Sequence, residues 1–191
     1  MATGLKPTLW RTARALANAD RLNLLRLVSL AKGSKGVLEL AAEANVSAST
    51  ASTYLRALNA RGLISVIRSG PYVYYGTGSD RSLPVTAEIQ KSFAGLFAMK
   101  NLPKDWISRL LPILQAYSHP RREAIVRLLG SIQPVRYAEF KKLSGLGETS
   151  FLRHLGLLSA AGIVIRDQDG SYSLAKPGNS LAAVFLKASG A

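Results

Sequence analysis

The stretch Leu40–Tyr72, LAAEANVSASTASTYLRALNARGLISVIRSGPY, decides the fold once it is set above Phe140–Tyr172, FKKLSGLGETSFLRHLGLLSAAGIVIRDQDGSY. Leu40 falls on Phe140, Val46 on Leu146, Leu55 on Leu155 and Leu58 on Leu158. Gly62 falls on Gly162, Gly70 on Gly170 and Tyr72 on Tyr172. The register runs without a gap through a helical pattern, a glycine stop and a hairpin. Self-similarity of this kind marks a repeated supersecondary unit. A duplicated helix-plus-hairpin unit in a basic chain points to nucleic acid.

Composition sharpens that reading. The chain has 191 residues, 48% of them hydrophobic, enough for one large core or two small ones, and the repeat argues for two. Lys and Arg number 25 against 11 Asp and Glu, a formal net charge of +14. Such an excess favours a polyanionic partner. The absence of cysteine excludes disulfides, thiolate metal sites and thiol nucleophiles, and suits a reducing compartment. No apolar run approaches the roughly 20 residues of a membrane span, and Met1–Trp10 lacks the pattern of a signal peptide. A soluble, cytoplasmic, nucleoid-associated protein is expected.

Outward from the opening stretch, helices are predicted over 9–16, 20–30, 37–44, 48–61 and 86–99. In the second unit they fall over 104–117, 120–129, 137–143, 148–161 and 179–187. Asp20 is the expected cap of the second helix. Ala31–Gly36 reads as a turn, and Leu38 with Ala41 or Ala42 as the inward face of the third helix. Ser47 is the expected N-cap of the fourth and Gly62 its stop. The runs 63–68 and 72–75 form a hairpin around Ser69-Gly70-Pro71, and 163–166 with 171–174 form its counterpart. The fold class is therefore mostly α with small β-hairpin wings: two tandem winged helix-turn-helix domains, 1–100 and 101–191.

On the helix opening at Ala48, Ala51, Leu55 and Leu58 share one face, and Ser49, Ser52, Thr53 and Arg56 the other. Hydroxyls and a guanidinium are the groups that read base edges and hold phosphates. The candidate DNA-binding residues are Ser47, Ala48, Ser49, Thr50, Ser52, Thr53, Tyr54, Arg56 and Arg61. Arg68 in the wing and Lys32 and Lys35 in the turn join them, with Arg153 and His154 in the second unit. Tyr72, Tyr74 and Tyr75 pack under the helices more readily than they stack on bases. Trp10 and Trp106 read as core or interface residues.

Residues Ala15–Leu27, the run Leu38–Leu55 with Leu58 and Gly62-Leu63-Ile64, and Gly70–Tyr75 resemble the ArsR-type winged-helix repressors. The resemblance implies a transcriptional repressor of double-stranded DNA. In that family the first and last helices of each domain pair into homodimers. Here the apolar faces of 86–99 and 104–117 are expected to pack together. A homodimer through the second domain or the joining helices is the expected assembly, with a monomeric pseudodimer as the alternative. The family's metal-sensing cysteines and histidine clusters are missing from the first unit, and no metal or cofactor is expected. The second unit keeps the frame but carries Gly147, Glu148, Leu152 and Gly156 where the first has Ser47, Ala48, Ser52 and Arg56. It also gains Asp167 and Asp169 at the wing, so it is expected to be the weaker reader.

Enzyme signatures are lacking. There is no glycine-rich phosphate loop, since Gly33-Ser34-Lys35-Gly36 is too short and wrongly flanked, and no Ser-His-acid frame. Two other readings stay open: a plasmid or phage replication or partition factor, and a winged-helix interaction scaffold of chromosome segregation. Scaffolds of that kind tend to be acidic, which opposes the second.

Overall fold

The computed structural model describes residues 8–78 and 84–191. In chain order the elements are α1 (Leu9–Leu16), α2 (Ala19–Leu30), β1 (Lys35–Gly36), α3 (Val37–Ala44), α4 (Ala48–Asn59), β2 (Ser65–Ser69), β3 (Tyr72–Gly76) and α5 (Pro84–Phe97). There follow α6 (Trp106–Tyr117), α7 (Pro120–Ile132), α8 (Tyr137–Ser144), α9 (Glu148–Ala160), β4 (Val164–Arg166), β5 (Tyr172–Leu174) and α10 (Ser180–Ala188). Among the described residues no helix is long and apolar enough to cross a membrane.

Local chemistry sets the helix boundaries. Asn18, not Asp20, caps α2: its side chain accepts from the Arg21 N–H at 2.9 Å. Asp20 then lies inside the first turn, where its charge complements the helix dipole. Ser47 caps α4 by accepting from the Thr50 N–H at 3.1 Å. His119 caps α7 through Nδ1, with Pro120 in the first turn. Helices α4 and α9 both stop at left-handed glycines, Gly62 at φ +69° and Gly162 at φ +67°. On α3 the inward residues are Leu40 and Ala41, whereas Leu38, expected inward, is 76% exposed. The helix starts at Val37, which half-buries itself and turns Leu38 to the outside.

The turn before α3 holds a strand. β1 pairs antiparallel with β3, Lys35 opposite Tyr75, giving a sheet of order β1-β3-β2. Two residues carry no readable period, so this strand is silent in the sequence. In the second half Val135 bridges Tyr172 in the same way.

These pairings correct the gap-free alignment. Val66 pairs with Tyr75 across residues 67–74, but Arg166 pairs with Tyr172 across residues 167–171, three fewer. The second hairpin is shorter, and Tyr172 takes the place of Tyr75 rather than Tyr72. Burial agrees: Tyr72 is 65% exposed, while Tyr75 is buried and Tyr172 half-buried.

The buried side chains form one contiguous cluster, not two. It runs from Leu9 and Leu16 through Phe93 and Phe97 to Trp106, Tyr117 and Phe185. Its continuity comes from α1 packing on α6 and α5 on α10, first helix against first and last against last. The expected seam between α5 and α6 is reduced to an edge contact, Phe97 against Trp106 with ring centroids at 5.3 Å and planes at 78°. Each large apolar side chain fully buried here contributes about 1.5–3 kcal/mol. Polar links cross the same seam: the Trp10 N–H donates to Glu123 Oε2 at 3.3 Å, and Lys187 meets Glu88 at 3.3 Å on the surface. The exposed pair adds at most about 1 kcal/mol. Buried Arg122, where the first half has Leu22, donates to the Ala116 and Gln115 carbonyls at 2.5 and 2.7 Å and so closes the end of α6.

Candidate nucleic-acid interface

Helix α4 is divided by burial. Ala51, Leu55 and Leu58 are fully buried, while Ser49, Thr53 and Arg56 are exposed and Ser52 is half-buried. The hydroxyls at its start are partly committed. Ser47 Oγ donates to Thr50 Oγ1 at 2.8 Å and lies 3.1 Å from Ser49 Oγ. Arg56 Nε donates to the Ser52 carbonyl at 3.2 Å. That bond fixes the direction of the side chain and leaves the rest of its five-donor fork outward. Ala48, at the first helical position, is exposed and leaves the backbone there accessible.

Other residues singled out from the sequence are placed differently. Tyr54 is half-buried and turns toward α2, with the Arg21 guanidinium 5.3 Å from its ring centroid. Burial pushes the Arg21 guanidinium below its usual range. Lys35 is bound to two carboxylates, Glu39 at 3.2 Å and Glu43. Both hold its ammonium proton more tightly, Glu43 most. It is therefore a compensated cation that ties β1 to α3, not the free phosphate anchor expected of it. Lys32 is exposed in the preceding turn, Arg61 is half-buried at the end of α4, and Arg68 is exposed on β2. Among the described residues none of Lys32, Arg56, Arg61 and Arg68 meets a carboxylate. The sequence has no acid between Glu43 and Asp80, so α4 and its wing carry positive charge alone.

The matching surface of the second half is built otherwise. Glu148 opens α9, accepts from the Tyr137 hydroxyl and lies 3.5 Å from Lys141 Nζ. The exposed face that follows bears Leu152, Arg153 and Gly156. Asp167 and Asp169 shape the short wing. Asp167 Oδ2 accepts from Ser173 Oγ at 2.7 Å, and Asp169 Oδ1 from the Ser171 N–H at 3.0 Å and its hydroxyl at 2.6 Å. The Ser171 donors hold the Asp169 carboxyl below the usual carboxylate range.

His154, expected among the DNA-binding residues, lies inside the protein instead. It is 2% exposed, on the inward face of α9 with Phe151, Leu155 and Leu158, and cannot touch DNA. The spacing 151, 154, 155, 158 already places it there. Its ring lies 4.7 Å from that of His119, and neither of its nitrogens has a hydrogen-bond partner among the described residues. Burial first, then the charges of His119, Arg122, Arg153 and Arg121, push its pKa down to about 4, so the imidazole is neutral at ordinary pH.

Helix α3, the turn at Asn45, the exposed polar face of α4 and the β2-β3 wing together define a winged helix-turn-helix. Residues 18–66 match the family described as bacterial regulatory protein, arsR family. That match runs from the cap of α2 into β2 and supports an ArsR-type winged helix-turn-helix in a DNA-binding transcriptional regulator. Neither the curated proteins nor the solved structures compared with the chain gave a match.

Proposed function

We propose that the chain is a sequence-specific repressor of double-stranded DNA built from two winged helices in tandem, 1–100 and 101–191. The first reads the operator and the second orients it. In this reading α4 enters the major groove, with Ser49, Ser52, Thr53 and Arg56 toward base edges. Ser47, Ala48 and Thr50 bring the helix N-terminus to the backbone. Lys32, Arg61 and Arg68 hold flanking phosphates, and Arg153 of α9 adds a contact from the second unit. The observation that carries the reading is the acid-free exposed face of α4 and its wing, set over a fully buried inner face.

The first and last helices of each unit, which in the resembled family pair two chains, are paired within one chain here, α1 with α6 and α5 with α10. This supports the pseudodimer over the homodimer, with a single chain bringing one strong and one weak reader to DNA. The test is titration of the full chain against duplex DNA at several salt concentrations, with its mass measured in solution. A slope of log K on log[salt] on the order of −4 to −6 is expected, for about half a dozen phosphates. Absence of duplex binding at low salt would defeat the proposal and favour an interaction scaffold.

A further inference from the structure

The two halves differ at a position that is buried in the first and exposed in the second, where it borders a pocket. Leu24 of α2 is fully buried, and the matching residue of α7 is Ala124. Between α7 and α8 lies a pocket of about 200 Å³, floored by Ala124, Ile125, Leu128 and Leu146. These lining residues match Leu24, Leu25, Val28 and Val46, and the second half has an exposed alanine where the first has a buried leucine. Leu143 stands on the rim, 50% exposed, where the first half has Glu43 engaged with Lys35. A polar residue spent in an ion pair is thus replaced by an apolar one turned to solvent beside an apolar hollow.

Charge selects the occupant. Arg121 lines the rim, is exposed, and donates to Ser150 Oγ at 3.3 Å. Lys142, next to Leu143, is exposed, and neither cation meets a carboxylate among the described residues. Glu139, one turn earlier on α8, is the acid closest along that helix. A second copy of the chain, with its formal net charge of +14, is a poorer match for two exposed cations than an acidic segment. The structure assigns this pocket to an acidic segment of another protein. The segment inserts one large apolar side chain between α7 and α8 and sets carboxylates against Arg121 and Lys142. Single apolar anchors in such hollows, ringed by complementary charge, are how short segments dock on helical faces. The recruiting surface goes beyond the proposed DNA reading and does not depend on DNA binding by α4.

The experiment selects a displayed random-peptide library against the full chain, then titrates the enriched peptides against variants. Enriched sequences should combine one Leu, Phe, Met or Trp with neighbouring Asp and Glu. Ala124→Leu, which restores the residue of the first half, should weaken them about tenfold or more, as expected for loss of an anchor pocket. Leu143→Glu, at an exposed position that leaves the fold intact, should do the same. Duplex DNA affinity should stay unchanged in both. Enrichment of peptides without acids, no enrichment at all, or undiminished binding to Leu143→Glu would each overturn the proposal. Should Ala124→Leu fail to fold, Leu143→Glu decides alone.

Discussion

Helix α4 turns Ala51, Leu55 and Leu58 inward, and α9 turns Phe151, Leu155 and Leu158 inward at the matching positions. Outward, the first offers Ser49, Thr53 and Arg56, and the second Leu152, Arg153 and Gly156 beside Glu148. The inner faces are held alike because a close-packed core penalises change in volume. The outer faces answer only to whatever they meet, and they have diverged. The comparison separates the residues that seat each helix from those left free to bind.

The largest effect should come from the cluster that both halves share. Trp106→Ala is expected to cost about 3–5 kcal/mol, as for other buried aromatics. It should lower the stability of both halves together in one unfolding transition. Denaturation followed separately through Tyr-rich β3 and through α9 would break the comparison if the first half kept its own midpoint.

Next comes pH. His154 is neutral in the folded chain, with its pKa depressed to about 4 from the ordinary 6.5. The unfolded chain therefore takes up this proton first. The stability is complete above about 6.5 and is lost as pH falls from there toward 4. Urea midpoints across that window should fall more steeply for the wild type than for His154→Phe. Parallel profiles would show that the imidazole is not the group responsible.

On DNA, Arg56→Ala should cost about 1–3 kcal/mol on the preferred site if its fork is bidentate. Arg153→Ala, removing the proposed backbone contact, should cost less and alike on all sequences. Equal losses in competition titrations would erase the difference proposed between the two halves.

The smallest test concerns the caps. Ser47→Ala should lose about 1 kcal/mol, and Gly147→Ser should gain a few tenths. Thermal melts of both variants show whether the two helices start by the same rule.

Much of this was legible in advance, and the exceptions have physical causes. Long apolar periods exposed the helices, and Ser47 and Gly62 fixed ends because caps and left-handed stops act locally. β1 was silent because two residues cannot display an alternation, and Asn18 yielded to Asp20 because both are good caps. The three-residue loss in the second wing was hidden by a chance match of tyrosines, which only strand pairing resolves. The pairing of α1 with α6 and α5 with α10 is a tertiary choice among several apolar faces, and no local pattern ranks them. On the candidate interface, the exposed face of α4 followed from helical spacing. The neutralisation of Lys35 required a strand to bring it to Glu39 and Glu43.

The joining of α1 to α6 and of α5 to α10 inside one polypeptide has a consequence for dosage. Two separate subunits come apart when diluted below their dissociation constant, so their pairing depends on copy number. Helices on one chain face each other at an effective concentration set by the tether, which dilution does not change. This pairing is therefore as complete in a cell holding a few molecules as in one holding thousands, and under the proposed one-chain reading occupancy of a site should follow a simple saturation curve, without the steepening that assembly of two subunits brings.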